Sequence, residues 1–160
     1  KYAWGNIHQA TYLDTDSFRF AGMYAEEIFG KAARTLLAKG ETEKARQVAV
    51  KAFNELPQRL YSMSDVTSYG DVIDTLYKTG EIKFANQLVD RNMKFLTEHM
   101  DYYQQLAIDK PENGLEVQNI RMALDSVDLY ERILSNTKEK DRYAYIAELS
   151  NKYKKMYLSE

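Results

Sequence analysis

Lys39-Gly40-Glu41-Thr42-Glu43-Lys44-Ala45 recurs forty positions on as Thr79-Gly80-Glu81-Ile82-Lys83-Phe84-Ala85. In each copy a glycine separates two apolar stretches of helical period. Glycine lets a helix end in a left-handed turn at little steric cost, so each copy reads as the hinge of a helix pair. Upstream of Gly40, Phe20, Tyr24, Ile28, Ala32 and Leu36 recur every four residues, with Phe29, Ala33 and Leu37 beside them. Downstream, Ala45, Val48, Ala49, Ala52, Phe53 and Leu56 follow the i, i+3, i+4, i+7 pattern, and Pro57 stops the run. Self-similarity at this period marks a helical repeat array.

Working outward, the periodicity predicts six helices, over about 17–39, 42–55, 65–79, 82–108, 115–135 and 138–157. Residues 1–16 read as an extended lead-in, and Asp14, Thr15, Asp16 and Ser17 supply N-cap oxygens at its end. Gly22 and Gly30 fall inside the first helix, where each marks either a close backbone approach or simple tolerance. Gln58–Asp65 is a connector, and Lys110-Pro111-Glu112-Asn113-Gly114 is the clearest loop. The third helix carries Val66, Tyr69, Val72, Ile73, Leu76 and Tyr77 inward, and the fourth carries Leu88, Val89, Phe95, Leu96, Tyr103 and Leu106. No strand is predicted.

The positions match the tetratricopeptide kind of repeat. Phe29, Ala33 and Leu36 on the first helix, and Ala45, Ala49, Ala52 and Pro57 on the second, stand where that repeat places its large, small and terminating residues. Small side chains matter because two antiparallel helices approach closely only where they face each other. The second copy fits at Tyr69, Val72, Ile73, Leu76, Gly80, Ala85 and Val89. It departs at Asn92, which replaces an alanine, and at Thr97, which replaces the proline. A polar contact at Asn92 and an overrunning fourth helix follow. The standard repeat has about 34 residues, and the connector absorbs the excess. The expected architecture is all-α: tandem antiparallel helix pairs (about 17–56, 65–108 and 115–158) in a tetratricopeptide-like superhelix. The third pair would be degenerate or a cap, with Asn136 in place of the turn glycine.

Composition narrows the function classes. With 160 residues, the chain is long enough for a real core without staples, and with no cysteine it has no disulfide or thiolate metal site. A net charge of -2 argues against a strong nucleic-acid binder. No apolar run approaches the roughly 18 residues that a membrane helix needs. The start, Lys1-Tyr2-Ala3-Trp4-Gly5, has no initiator methionine and reads as the beginning of a segment cut from a longer protein.

A search for chemistry returns weak signals. His8 and His99 have no Ser, Cys or Asp at a diagnostic spacing, and His99 reads as a packed or edge histidine. Asp71/Asp74 and Asp125/Asp128 are carboxylate pairs on one helix face. Each is too sparse for a hard cation and reads as a solvated face. The lysines of the last helix are interrupted by acids. The 13 tyrosines fill gaps between helices, or present rings to a sugar or peptide, with Tyr102, Tyr103, Tyr143 and Tyr145 as candidates for the second role. No catalytic residue, metal ligand or cofactor is expected.

Trp4-Gly5-Asn6, Tyr12-Leu13-Asp14, the Gly40-Glu41-Thr42-Glu43-Lys44-Ala45 and Gly80-Glu81 turns, and Leu96 to Leu106 with Asp101-Tyr102-Tyr103 occur in this order. Through them the chain resembles the soluble C-terminal tail of a Bacteroides-type family of multi-pass membrane proteins. That family looks like the protein O-mannosyltransferases in its membrane half. Gln9-Ala10-Thr11 and the Pro57 connector depart from its pattern. The resemblance implies a soluble domain on the periplasmic side, with any transferase chemistry in the membrane part. The expected function is protein–protein interaction or scaffolding, with a protein or peptide partner, no nucleic acid, and membrane contact only through the parent. Lys31, Arg34, Asp71 and Lys78 on the first and third helices, with Tyr102 and Tyr143, are the candidate partner-binding residues. The alternatives are a sugar-binding or sugar-processing domain with a tyrosine-lined cleft, and a structural cap or dimerisation domain.

Overall fold

The computed structural model describes residues 23–105 and 114–158, together with Gln9. The lead-in 1–16 apart from Gln9, the N-cap cluster, Phe20, Gly22, Leu106 and most of the Lys110–Gly114 loop lie outside the described residues. Within them the chain is all-helical, with no strand. A π-helical segment, Tyr24–Gly30, leads directly into α1, Lys31–Ala38. There follow α2 (Thr42–Glu55), α3 (Met63–Ser68), α4 (Gly70–Lys78), α5 (Ile82–Gln105), α6 (Leu115–Ser135) and α7 (Lys140–Tyr157). With α3 and α4 read as one interrupted helix, these are the six helices the periodicity predicts. No described helix is long and apolar enough to cross a membrane.

The chain divides into two compact units, residues 1–91 and 92–160, with the boundary inside α5. In the first unit α1 packs on α2, and both pack on α4. The hinges work as glycine turns should. Gly40 takes φ 75° and Gly80 φ 86°. The Glu41 amide then donates to the Leu36 carbonyl at 2.9 Å and the Gly40 amide to Leu37 at 3.0 Å. In the second copy Glu81 donates to Leu76 at 2.8 Å and Gly80 to Tyr77 at 3.2 Å. This is the paired 6→1 and 5→2 closure that satisfies carbonyls a helix end leaves open. One turn further on, Ala45 and Ala85 are fully buried, as are Ala49 and Ala52.

Gly30 resolves in favour of close approach. A Cβ built there would lie 2.9 Å from the Ala25 carbonyl oxygen and 3.1 Å from Asp71 Cβ on α4. The buried face of this first segment is Ala25, Phe29 and Ala33. That corrects the expected stripe in part: Phe29 and Ala33 are buried as expected, whereas Ile28 is 44% exposed, so the face centres one residue later than Tyr24, Ile28, Ala32 and Leu36.

The connector is ordered by named contacts. Leu56, ahead of Pro57, is forced into extended backbone, with ψ 152°. Leu56, Leu60 and Met63 are buried beneath the connector. The Pro57 carbonyl accepts from the Tyr69 hydroxyl and from Arg91 Nη1, both at 3.3 Å, while the Arg91 guanidinium lies 4.3 Å over the Tyr69 ring. Burial pushes the Tyr69 hydroxyl above its ordinary pKa. The helix after the connector starts at Met63, two residues before the expected position. The buried Asp65 carboxylate accepts from the Tyr61 and Ser62 amides at 2.9 and 3.0 Å and caps that start.

In the second unit the C-terminal part of α5 and the helices α6 and α7 bury Met93, Leu96, Met100, Ile120, Val127, Tyr130, Leu134, Ile146 and Tyr153. Thr97 stands in for a proline, and α5 continues past it to Gln105, as expected.

Two stability outcomes follow. Gly30→Ala lowers the melting temperature: the overpacking cost of about 1–3 kcal/mol exceeds the helix-propensity gain of at most about 1 kcal/mol. An unchanged melting temperature would mean that the segment and α4 make room for a methyl group at Gly30. Leu88, with 1% exposure, loses about 2–5 kcal/mol on change to alanine in urea unfolding. Leu36, only half-buried, loses less.

Candidate functional site

The charged candidates of the first unit form a ridge of internal ion pairs. Lys31 on α1 pairs with Glu27 one turn earlier. Arg34 reaches across to Asp71 on α4 at 3.0 Å. Lys78 pairs with Asp74 at 2.6 Å, one turn back on the same helix. The structure therefore brings Arg34 and Asp71 together, and it accounts for the Asp71/Asp74 carboxylate pair as two separate ion pairs. The cations are at least half exposed and the carboxylates partly so, so each pair contributes little to stability. The ridge carries alternating charge.

A second network joins α2 to the turn before α5. Arg46 makes a two-pronged contact with Glu43, Nε to Oε2 at 2.9 Å and Nη2 to Oε1 at 2.8 Å, and its Nη1 reaches Glu81 at 2.7 Å. The Arg46 hydrogen bonds, then that of Gln47, hold the Glu43 carboxyl at about 2, well below the ordinary carboxylate range. Beside it, Phe53 stacks on Phe84 with ring centroids 4.4 Å apart. These residues add a polar and an aromatic link between the first pair and the start of α5, and none was among the candidates. The recurrence of Glu41 as Glu81 was the available signal.

In the second unit the predicted polar contact at Asn92 is present. Asn92 Nδ2 donates to the Tyr130 hydroxyl at 2.5 Å, and both residues are fully buried. The Asp125/Asp128 pair is again divided. Asp128 accepts from the Ser150 hydroxyl at 3.1 Å and pairs with Lys154 at 2.7 Å, whereas Asp125 is exposed. His99 is half-buried, its Nδ1 donating to the Phe95 carbonyl at 2.9 Å and its ring 4.1 Å from that of Phe95. It sits as an edge histidine. Among the described residues no group of three or more His, Cys, Asp or Glu could hold a metal ion.

The tyrosine candidates divide by exposure. Tyr102 is 55% exposed and tilts against Tyr103, whose hydroxyl accepts from Asn119 at 2.9 Å and whose ring is buried. Tyr143 and Tyr145 are also exposed. Near Tyr145, Asp101 on α5 faces Lys152 on α7 at 3.6 Å, and the Lys152 amine lies 5.4 Å from the ring of the buried Tyr153. Burial, then the Asp101 charge, raises the Tyr153 hydroxyl above its ordinary value; Tyr145 is raised by the same two causes and by Glu148.

Tyr143 has a definite place in the repeat. Its amide donates to the Glu139 carbonyl at 2.9 Å, as Ala45 does to Glu41 and Ala85 to Glu81, both at 3.0 Å. Glu139 also shares the backbone angles of Glu41, φ −79° and ψ 61° against φ −84° and ψ 57°. The third pair keeps the entry geometry of its second helix but carries a large ring where the first two carry a buried methyl.

Comparison with protein-family models, with curated proteins and with solved structures gives no match to this chain.

Two measurements check this geometry. A double-mutant cycle on Asn92→Ala and Tyr130→Phe is expected to show a coupling of about 0.5–3 kcal/mol, since the two groups satisfy each other in the core. Additive effects would remove the contact. A carboxyl NMR titration is expected to place Glu43 at about 2 in the wild type and to move it up toward 4.5 in Arg46→Gln. Because the folded-state value is depressed, the associated stabilisation is full above the unfolded value and is lost as pH falls through about 2.

Proposed function

We propose that this domain is a non-catalytic interaction or scaffolding module, presented on the periplasmic side by a membrane protein of glycosyltransferase type. The observation that carries the interaction half is the tandem closure of helix pairs through Gly40 and Gly80. Stacked helix pairs of this kind present long side-chain ridges suited to a peptide or partner helix. The exposed ridge of Lys31, Arg34, Asp71, Asp74 and Lys78 fits a polar partner with complementary charge spacing. The membrane parent rests on the sequence resemblance.

The test uses the tail in its parent protein. Crosslinking with mass spectrometry, on wild type and on a Lys31→Glu/Arg34→Glu/Lys78→Glu variant of equal melting temperature, is expected to recover a specific protein with the former and lose it with the latter. Recovery of the same proteins from both, together with full parent function after deletion of the tail, overturns the proposal.

A second reading is favoured by the exposed rings of Tyr102 and Tyr145, which flank the Asp101–Lys152 pair. An aromatic face with flanking polar groups suits a saccharide. Titration with oligosaccharides distinguishes the two readings. Saturable shifts at Tyr145 that Tyr145→Ala abolishes support sugar binding, and their absence across a glycan panel removes it.

A further inference from the structure

We draw no further inference here: the strongest candidate, the cluster of Asp101, Tyr145 and Lys152 over the buried Tyr153 hydroxyl on α5 and α7, carries nothing beyond the saccharide reading already given, because it rests on one loose, exposed ion pair and nothing in the structure shows what covers its rings.

Discussion

Each of the first two helix pairs depends on one backbone event, the passage of a glycine through positive φ at the hinge. Only that conformation lets the next amide turn back onto a carbonyl five residues earlier, Glu41 to Leu36 and Glu81 to Leu76. The turn then delivers an alanine, Ala45 or Ala85, to the point where the two helices meet. Both alanines are fully buried. A larger side chain there would push the helices apart, so hinge and small residue work as a unit. Asp71 and Gly30 extend the same economy of volume to the contact between α4 and the first segment.

The third pair shows what happens when the unit is relaxed. Glu139 enters α7 with the backbone geometry of Glu41, but no glycine precedes it. Side chains cap the end of α6 instead: Asn136 Nδ2 donates to the Arg132 carbonyl at 3.0 Å, and the Thr137 hydroxyl to that of Leu134 at 2.8 Å. Tyr143 replaces the small residue and remains exposed. The core beneath is filled by large groups, including Tyr130, whose hydroxyl accepts from Asn92, and Tyr153, whose hydroxyl is buried without a hydrogen-bond partner among the described residues. The pair keeps the helix–turn–helix order of the first two and packs differently.

Much of this was legible in the residues. Helix existence and order followed from period 3.6 and from two glycines. Asn92 was marked as polar because it broke a pattern of small residues, and Thr97 marked the long α5 because it replaced a stop. Other features depend on contacts that no local pattern encodes. The helix face around Gly30 was only half legible, because two adjacent period-four stripes, one through Ile28 and one through Phe29 and Ala33, are both apolar, and only the second is buried. The start of α3 hid in Ser62 and Asp65, a cap inside what read as loop. The charged candidates were placed on the correct helices. Their mutual pairing, Arg34 with Asp71 above all, joins positions 37 apart and is visible only in three dimensions. Arg46 was missed for the same reason: its partner Glu81 belongs to the next repeat.

The first two helix pairs stand most directly on the hydrogen bonds that close their hinges, and amide hydrogen exchange by NMR reads them one by one. The Glu41 and Glu81 amides are predicted to be protected by more than about 10-fold over a random coil, unlike ordinary loop amides. Exchange of both at the random-coil rate, in a protein whose helix cores remain protected, would contradict the glycine-closed helix pair as the basis of the fold.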